Sequence, residues 1–298
     1  MGKTAATGAG DSRELLVAYL RAQLDELRAR EPGVRIDIPD AVHRMRVACR
    51  RLRSSLATFG PLFHSRQSQH LRHELQWMGT VLGGARDIEV MRARLNVTVA
   101  ILPVDADLAE VLADLDRELA ERHSYAHQAL VEALNSPRYA ALLAALAAFA
   151  AAPPWGGKAA TQHTLAGLVG RACSRVDRAA KATEGTPDVG GPELHEVRKA
   201  AKRARYAAEV AAPLAGSAAH ALARRMEELQ ELLGHHQDSL MIRALLDDLA
   251  SRLSEQHSFA LGLLAGVEHA SDESVLAAYG LALAAASTDK VRDWTRKG

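Results

Sequence analysis

Apolar residues recur every three or four positions along most of this chain, which is the period of a helix with one buried face. Leu15, Leu16, Tyr19, Leu20, Leu24 and Leu27 open the pattern behind Asp11-Ser12, a suitable N-cap, and Pro32-Gly33 closes it. Pro39 then opens a second helix in the first-turn position that proline favours, ending at Gly60-Pro61. The spacing predicts further helices over about 65–82, 87–100, 106–134 and 136–151, with a break at Gly83-Gly84. Two prolines and two glycines at 153–157 defeat both helix and strand and mark a boundary. Beyond it come helices over about 159–183, from Pro192 to a break at 213–216, on to Leu233 with a break at Gly234, and over about 238–253 and 257–283. A loop rich in Gly and Pro spans 185–192.

The rhythm repeats, and so do the letters. His43-Arg44-Met45-Arg46 matches His195-Glu196-Val197-Arg198, and Arg50-Arg51-Leu52-Arg53 matches Lys202-Arg203-Ala204-Arg205, both at an offset of 152. Leu82-Gly83-Gly84-Ala85-Arg86-Asp87 matches Leu233-Gly234-His235-His236-Gln237-Asp238 at an offset of 151. Two separated matches in the same order describe a duplicated helical unit, far longer than a solenoid repeat. The fold class that follows is all-α, with one domain over 12–295 made of two helical halves, 12–152 and 158–295.

On a helical wheel advancing about 100° per residue, His43, Arg46, Arg50 and Arg53 fall within about 80° of one another. Met45, Cys49, Leu52 and Leu56 occupy the opposite side. The second copy behaves alike, with His195, Arg198, Lys202 and Arg205 on one face and Val197, Ala201, Ala204 and Ala208 behind them. A solvated basic stripe would mix signs, yet His43–Arg53 holds five arginines and no acid. Like charges one turn apart each cost about 0.2–0.5 kcal/mol, and the arginine fork suits bidentate contact with phosphate. The pattern points to a polyanion site. Arg171, Arg175 and Arg178 share a face of a neighbouring helix and either extend the basic surface or are simply solvated.

Composition adds limits. Hydrophobic residues make up 48% and charged residues 24%, the balance of a soluble globular protein, and aromatics are only 4%. The net charge of +1 conceals basic segments offset by acidic ones. Cys49 and Cys173 have no metal-ligand spacing and read as buried reduced thiols. Val47 and Lys199 stand four residues after the two histidines, so no helical His pair for a metal exists there. A phosphate hydrogen bond, stronger if the ring is protonated, suits His43 and His195. Asp87 and Asp238 follow glycines and read as N-caps. Met1–Gly10 lacks a signal-peptide core, and the longest apolar run, 139–152, is short of the roughly 20 residues that span a bilayer. A cytoplasmic protein without a membrane association is the expectation. Phosphate-cradling glycine loops, dinucleotide fingerprints, HExxH and GxSxG are absent from the sequence, and no carboxylate cluster accompanies the arginines. Binding without turnover, with no cofactor or metal, is the consistent reading.

The paired motifs, from His43 to Arg53 and from Leu194 through Lys199 to Tyr206, with the two Leu-Gly segments, make the chain similar to the CHAD domain, the conserved histidine α-helical domain. The likeness covers about 12–295. It implies two helical bundles about a pseudo-two-fold axis, their basic helices facing across a central groove or pore. It also implies binding of inorganic polyphosphate and association with polyphosphate granules. The contacts it implies are His43, Arg46, Arg50, Arg51, Arg53, His195, Arg198, Lys199, Lys202, Arg203 and Arg205. Glu196 stands where the first copy has Arg44, which makes that position peripheral. Some members of the family carry a triphosphate tunnel domain of strands with alternating glutamate and lysine. No such strands occur here, so triphosphatase activity is not carried over. The physics agrees: polyphosphate has no bases to stack, so its site should be rich in cations and poor in aromatics. A nucleic-acid module using the same helices on a phosphate backbone is the second reading.

Overall fold

Alanine and leucine supply most of the apolar mass, and both favour helix. The computed structural model, which describes residues 7–100, 102, 106–156, 158–184, 191–251 and 258–296, is helical nearly throughout, with no strand among the described residues. The helices are α1 (Thr7–Arg35), α2 (Ala41–Thr58), α3 (Ser65–Val99), α4 (Ala106–Leu134), α5 (Pro137–Ala151), α6 (Gln162–Lys181), α7 (Gly191–Ala215), α8 (Ser217–Ala250), α9 (Ser258–Ser287) and the short α10 (Asp289–Arg292). Ser136 and Thr161 cap α5 and α6, each accepting a backbone N–H three residues on.

Three expectations change. α3 runs unbroken through Gly83-Gly84, and α8 through Gly234. A mid-helix glycine costs about 1 kcal/mol relative to alanine, too little to end a helix of that length with packed flanks. Asp87 and Asp238 are therefore interior helix residues and not N-caps. Pro32 and Pro213 lie inside the last turns of α1 and α7, which run on to Arg35 and Ala215. Each gives up one bond to the carbonyl four residues before it, and each helix ends within a turn. α2 begins at Ala41, two residues after Pro39, because Asp37 (φ 54°) and Asp40 (φ 66°) reverse the chain in the left-handed region. Aspartate enters that region more readily than most residues. The expected loop at 185–192 falls almost wholly outside the described residues, as do the expected helix ends near 253 and 257.

The order of neighbours is the same in both halves. α2 packs on α1 and α3, and α3 on α4; α7 packs on α6 and α8, and α8 on α9. α2 and α7 also lie against each other. One core cluster joins buried side chains from both halves, including Leu16, Met45, Leu52, Leu75, Val197, Ala204 and Leu229. A second cluster, with Leu95, Leu115, Leu246 and Leu264, fills the space where α3, α4, α8 and α9 meet.

The boundary stretch is pinned in place. The His64 N–H donates to the Pro154 carbonyl (2.8 Å) and the Gly156 N–H to that of Leu62 (3.0 Å). The Phe63 and Trp155 rings lie 5.0 Å apart. A Cβ on Gly156 would fall 2.5 Å from the His64 ring, which would have to turn aside.

Candidate functional site

The buried stripe of α2 (Met45, Cys49, Leu52, Leu56) and that of α7 (Val197, Ala201, Ala204, Ala208) both enter the core, which turns their basic faces into the same space. That space is a groove of about 700 Å³. α2 contributes His43, Arg46, Arg50 and Arg53, and α7 contributes His195, Arg198, Lys199, Lys202 and Arg203. Nine of the eleven residues singled out from the sequence thus line one groove.

Arg51 and Arg205 are turned elsewhere. Arg51 Nη2 and Arg205 Nε both donate to Oε1 of Glu209, at 3.3 and 3.0 Å. Tyr19 of α1 donates to the other carboxylate oxygen at 3.2 Å, and both guanidinium groups lie 5.7 Å from the centre of the Tyr206 ring. Two differences between the halves account for this. Glu227, 2.5 Å from Nη2 of Arg205, stands where the first half has Gln76. Glu209 follows Arg205 by one turn, whereas the matching position after Arg53 is Ala57. Arg53, without either partner, stays in the groove. At the other end Arg44 pairs with Asp40 (2.7 Å) and Glu196 with Lys199 (2.6 Å), both in exposed positions, so the Arg44/Glu196 position lies outside the groove lining.

α3 and α8 supply residues that the helical wheel of the basic helices could not reveal. Arg72, His73, Gln76, Arg86 and Asp87 come from α3; Gln230, Gln237 and Asp238 come from α8. Their spacing of three and four residues was present in the sequence as a polar face. Reading the glycines as breaks concealed it.

The cations are crowded and partly dehydrated. Burial, then the neighbouring Arg198, Arg50 and Arg46, pushes the Lys202 ammonium down to about 6. Burial also lowers Arg46 and Arg198, with Asp87 and Asp238 acting against it. Arg203 is lowered by burial and then by Arg175, Arg72 and Arg53, so Arg175 of α6 faces the same basic field. His43 is lowered by burial and by Arg86, which favours the neutral ring in the unliganded chain. Nε of Arg50 is buried with no hydrogen-bond partner, and Nδ1 of His195 lies 3.0 Å from Oε1 of Gln237. Among the described residues no group of three His, Cys, Asp or Glu side chains is placed to hold a metal ion, and no helix is long and apolar enough to cross a membrane. Cys49 and Cys173 are free and buried, and burial pushes their thiols up to about 12 and about 11.

Fold and site together define an all-helical protein with a cation-lined groove where two basic helices meet. Residues 18–247 match the CHAD domain model, and the chain belongs to that family. It is 25% identical to PptA from Streptomyces chartreusis, over 90% of this chain and 98% of that one, with a TM-score of 0.76. The crystal structure of the CHAD domain from the plant Ricinus communis is 27% identical, over 95% and 91% of the two chains, with a TM-score of 0.66. Two uncharacterized proteins of Mycobacterium tuberculosis, MT2285 and Rv2226, are each 33% identical over 251 residues, or 81% of this chain. The match covers 47% of their own length, so this chain spans about half of these curated relatives.

Proposed function

We propose that this chain binds inorganic polyphosphate in the α2–α7 groove, without turning it over, and that it associates with polyphosphate granules in the cytoplasm. The observation that carries this reading is the set of like charges held together around Lys202 and the unpartnered Nε of Arg50. Two unit charges about 6 Å apart at an effective dielectric constant of about 20 repel by about 3 kcal/mol. An arrangement that accumulates several such repulsions serves a ligand that removes them. A flexible polymer with about one negative charge per phosphate does so along the whole groove. Tyr206 is the aromatic residue among those lining the groove, and it faces Arg51 and Arg205, so stacked bases find little platform. The association of CHAD proteins with polyphosphate supports the choice of anion.

The test is displacement of labelled long-chain polyphosphate at fixed salt. Duplex or single-stranded nucleic acid should compete poorly at equal phosphate concentration; equal competition would replace this reading with nucleic-acid binding. Arg50→Ala with Arg203→Ala should weaken binding by about 100-fold or more, taking about 1.5 kcal/mol for each charge-assisted contact. Arg171→Ala with Arg175→Ala should cost far less, and equal losses would mean diffuse attraction with no defined site. Phosphate release over hours with Mg²⁺ or Mn²⁺ would show turnover. A fluorescent fusion, imaged with and without polyphosphate synthesis, tests granule association.

A further inference from the structure

Two aspartates stand in a groove otherwise dominated by cations, and each lies one helical turn beyond a glycine of the same helix face. We propose that Gly83 with Asp87, and Gly234 with Asp238, are positioning residues for anion binding, each pair cradling one groove arginine, Arg46 or Arg198, against a helix backbone. The proposal rests on the polyphosphate reading above and adds the device that orients two of its contacts.

The close approach of an arginine to a glycine recurs in both halves. A Cβ on Gly83 would lie 3.4 Å from Nη2 of Arg46 and 3.8 Å from its Cζ and Nε. A Cβ on Gly234 would lie 3.0, 3.6 and 3.5 Å from Nη2, Cζ and Nε of Arg198. In both cases Nη2 comes nearest and Cζ no nearer than Nε, so each guanidinium brings its Nη2 end and the edge it shares with Nε against the glycine, into space that a side chain would occupy. The polar anchors differ between the halves. Asp87 Oδ1 stands 3.2 Å from Nη1 of Arg46. Arg198 Nε donates to the Gln230 carbonyl at 3.4 Å, and Asp238 lines the same groove. The arginines are 152 residues apart and the Gly/Asp pairs 151 apart, so both partners of the cradle belong to the repeated pattern.

A carboxylate inside an anion groove subtracts from the attraction, and a mid-helix glycine subtracts from helix stability. Both make sense if they hold an arginine in one orientation, because a pre-oriented fork loses less freedom on binding than a mobile one. The opposing idea is that the groove works by summed charge, with the glycines only filling space. The two ideas predict opposite signs.

Asp87→Asn with Asp238→Asn removes two negative charges. Summed charge predicts tighter binding of long-chain polyphosphate; the cradle predicts binding weaker by about tenfold or more. Gly83→Ala with Gly234→Ala should weaken binding chiefly through Gly234, whose Cβ would come 3.0 Å from Nη2 of Arg198, whereas that of Gly83 would meet Arg46 at an ordinary 3.4 Å. The melting temperature should be unchanged or raised, since the group displaced is the end of a flexible side chain. In an Arg46→Ala, Arg198→Ala background the glycine substitutions should have no further effect. Tighter binding by the asparagine variant, or an undiminished glycine effect without the arginines, overturns the proposal. A wild-type chain that does not bind polyphosphate overturns the function beneath it. The Nε–H resonances of Arg46 and Arg198 then test the cradle without ligand: sharp in the free wild-type chain, shifted or broadened in the glycine variants.

Discussion

Lys202 shows what one residue makes of its surroundings. Its ammonium has an ordinary pKa of 10.5 and is held near 6 by burial and by Arg198, Arg50 and Arg46. Between those values the unfolded chain carries a proton that the folded one lacks, so the unliganded fold gains stability as pH rises through that window. A bound polyanion reverses the preference and restores the ammonium. Binding near pH 7.5 should therefore take up protons, approaching one per groove, and affinity should fall as pH rises from about 6. Calorimetry in two buffers of different ionisation enthalpy measures the uptake, and Lys202→Met should reduce it to the share taken by His43, which lines the same groove; identical observed heats in the two buffers for the wild-type chain would refute the linkage. At this scale the sequence was informative for His43, Arg46, Arg50, Arg53, His195, Arg198, Lys199, Lys202 and Arg203. Arg51, offered by the family resemblance, and Arg205, placed on the basic face by the wheel, turn to Glu209, because a wheel drawn for one helix cannot show a carboxylate that gathers arginines from two.

Among the elements, the basic helices were legible because their two faces differ so sharply in polarity. The stripe opposite the cations is fully buried, with Met45 at 0% and Leu52 at 1% exposure. Met45→Ala should destabilise the fold by about 3 kcal/mol through lost burial and the cavity left behind. A urea titration reads this as a lower midpoint at unchanged slope, and a loss under 1 kcal/mol would mean that α2 repacks. α3 and α8 were less legible. Gly83-Gly84 and Gly234 look like terminators when only local propensity is considered, yet packing at both ends carries each helix through. Asp87 and Asp238 were misread for the same reason. A residue assigned to a cap cannot also be assigned to a wall.

At the scale of the molecule, the two halves are alike in the order of their helices, and one of the positions where they differ ties them together. Glu209, where the first half has Ala57, joins Tyr19 of α1, Arg51 of α2 and Arg205 of α7. Its function is cohesion between halves, and the anion groove lies elsewhere. Glu209→Gln should lower stability by about 2 kcal/mol, the scale of hydrogen bonds to charged groups, with polyphosphate affinity held or increased as Arg51 is released while Arg205 keeps Glu227. Affinity falling in step with stability would contradict that separation. The joining of the halves could not be read from the boundary stretch at 153–157, whose composition resembles a linker. Its backbone is bonded to the turn between α2 and α3, a contact that composition does not encode.

The Tyr19–Glu209 contact spans 190 residues of sequence, and it sets a timetable. A ribosome adds about 5–20 residues per second, so α7 follows α2 out of the exit tunnel by roughly 8–30 s. For that interval the first basic helix has neither its facing wall nor the carboxylate that restrains Arg51. The groove is complete only once both basic helices have emerged, and a nascent chain halted before α7 would present an unpaired cationic helix beside the ribosome's own RNA.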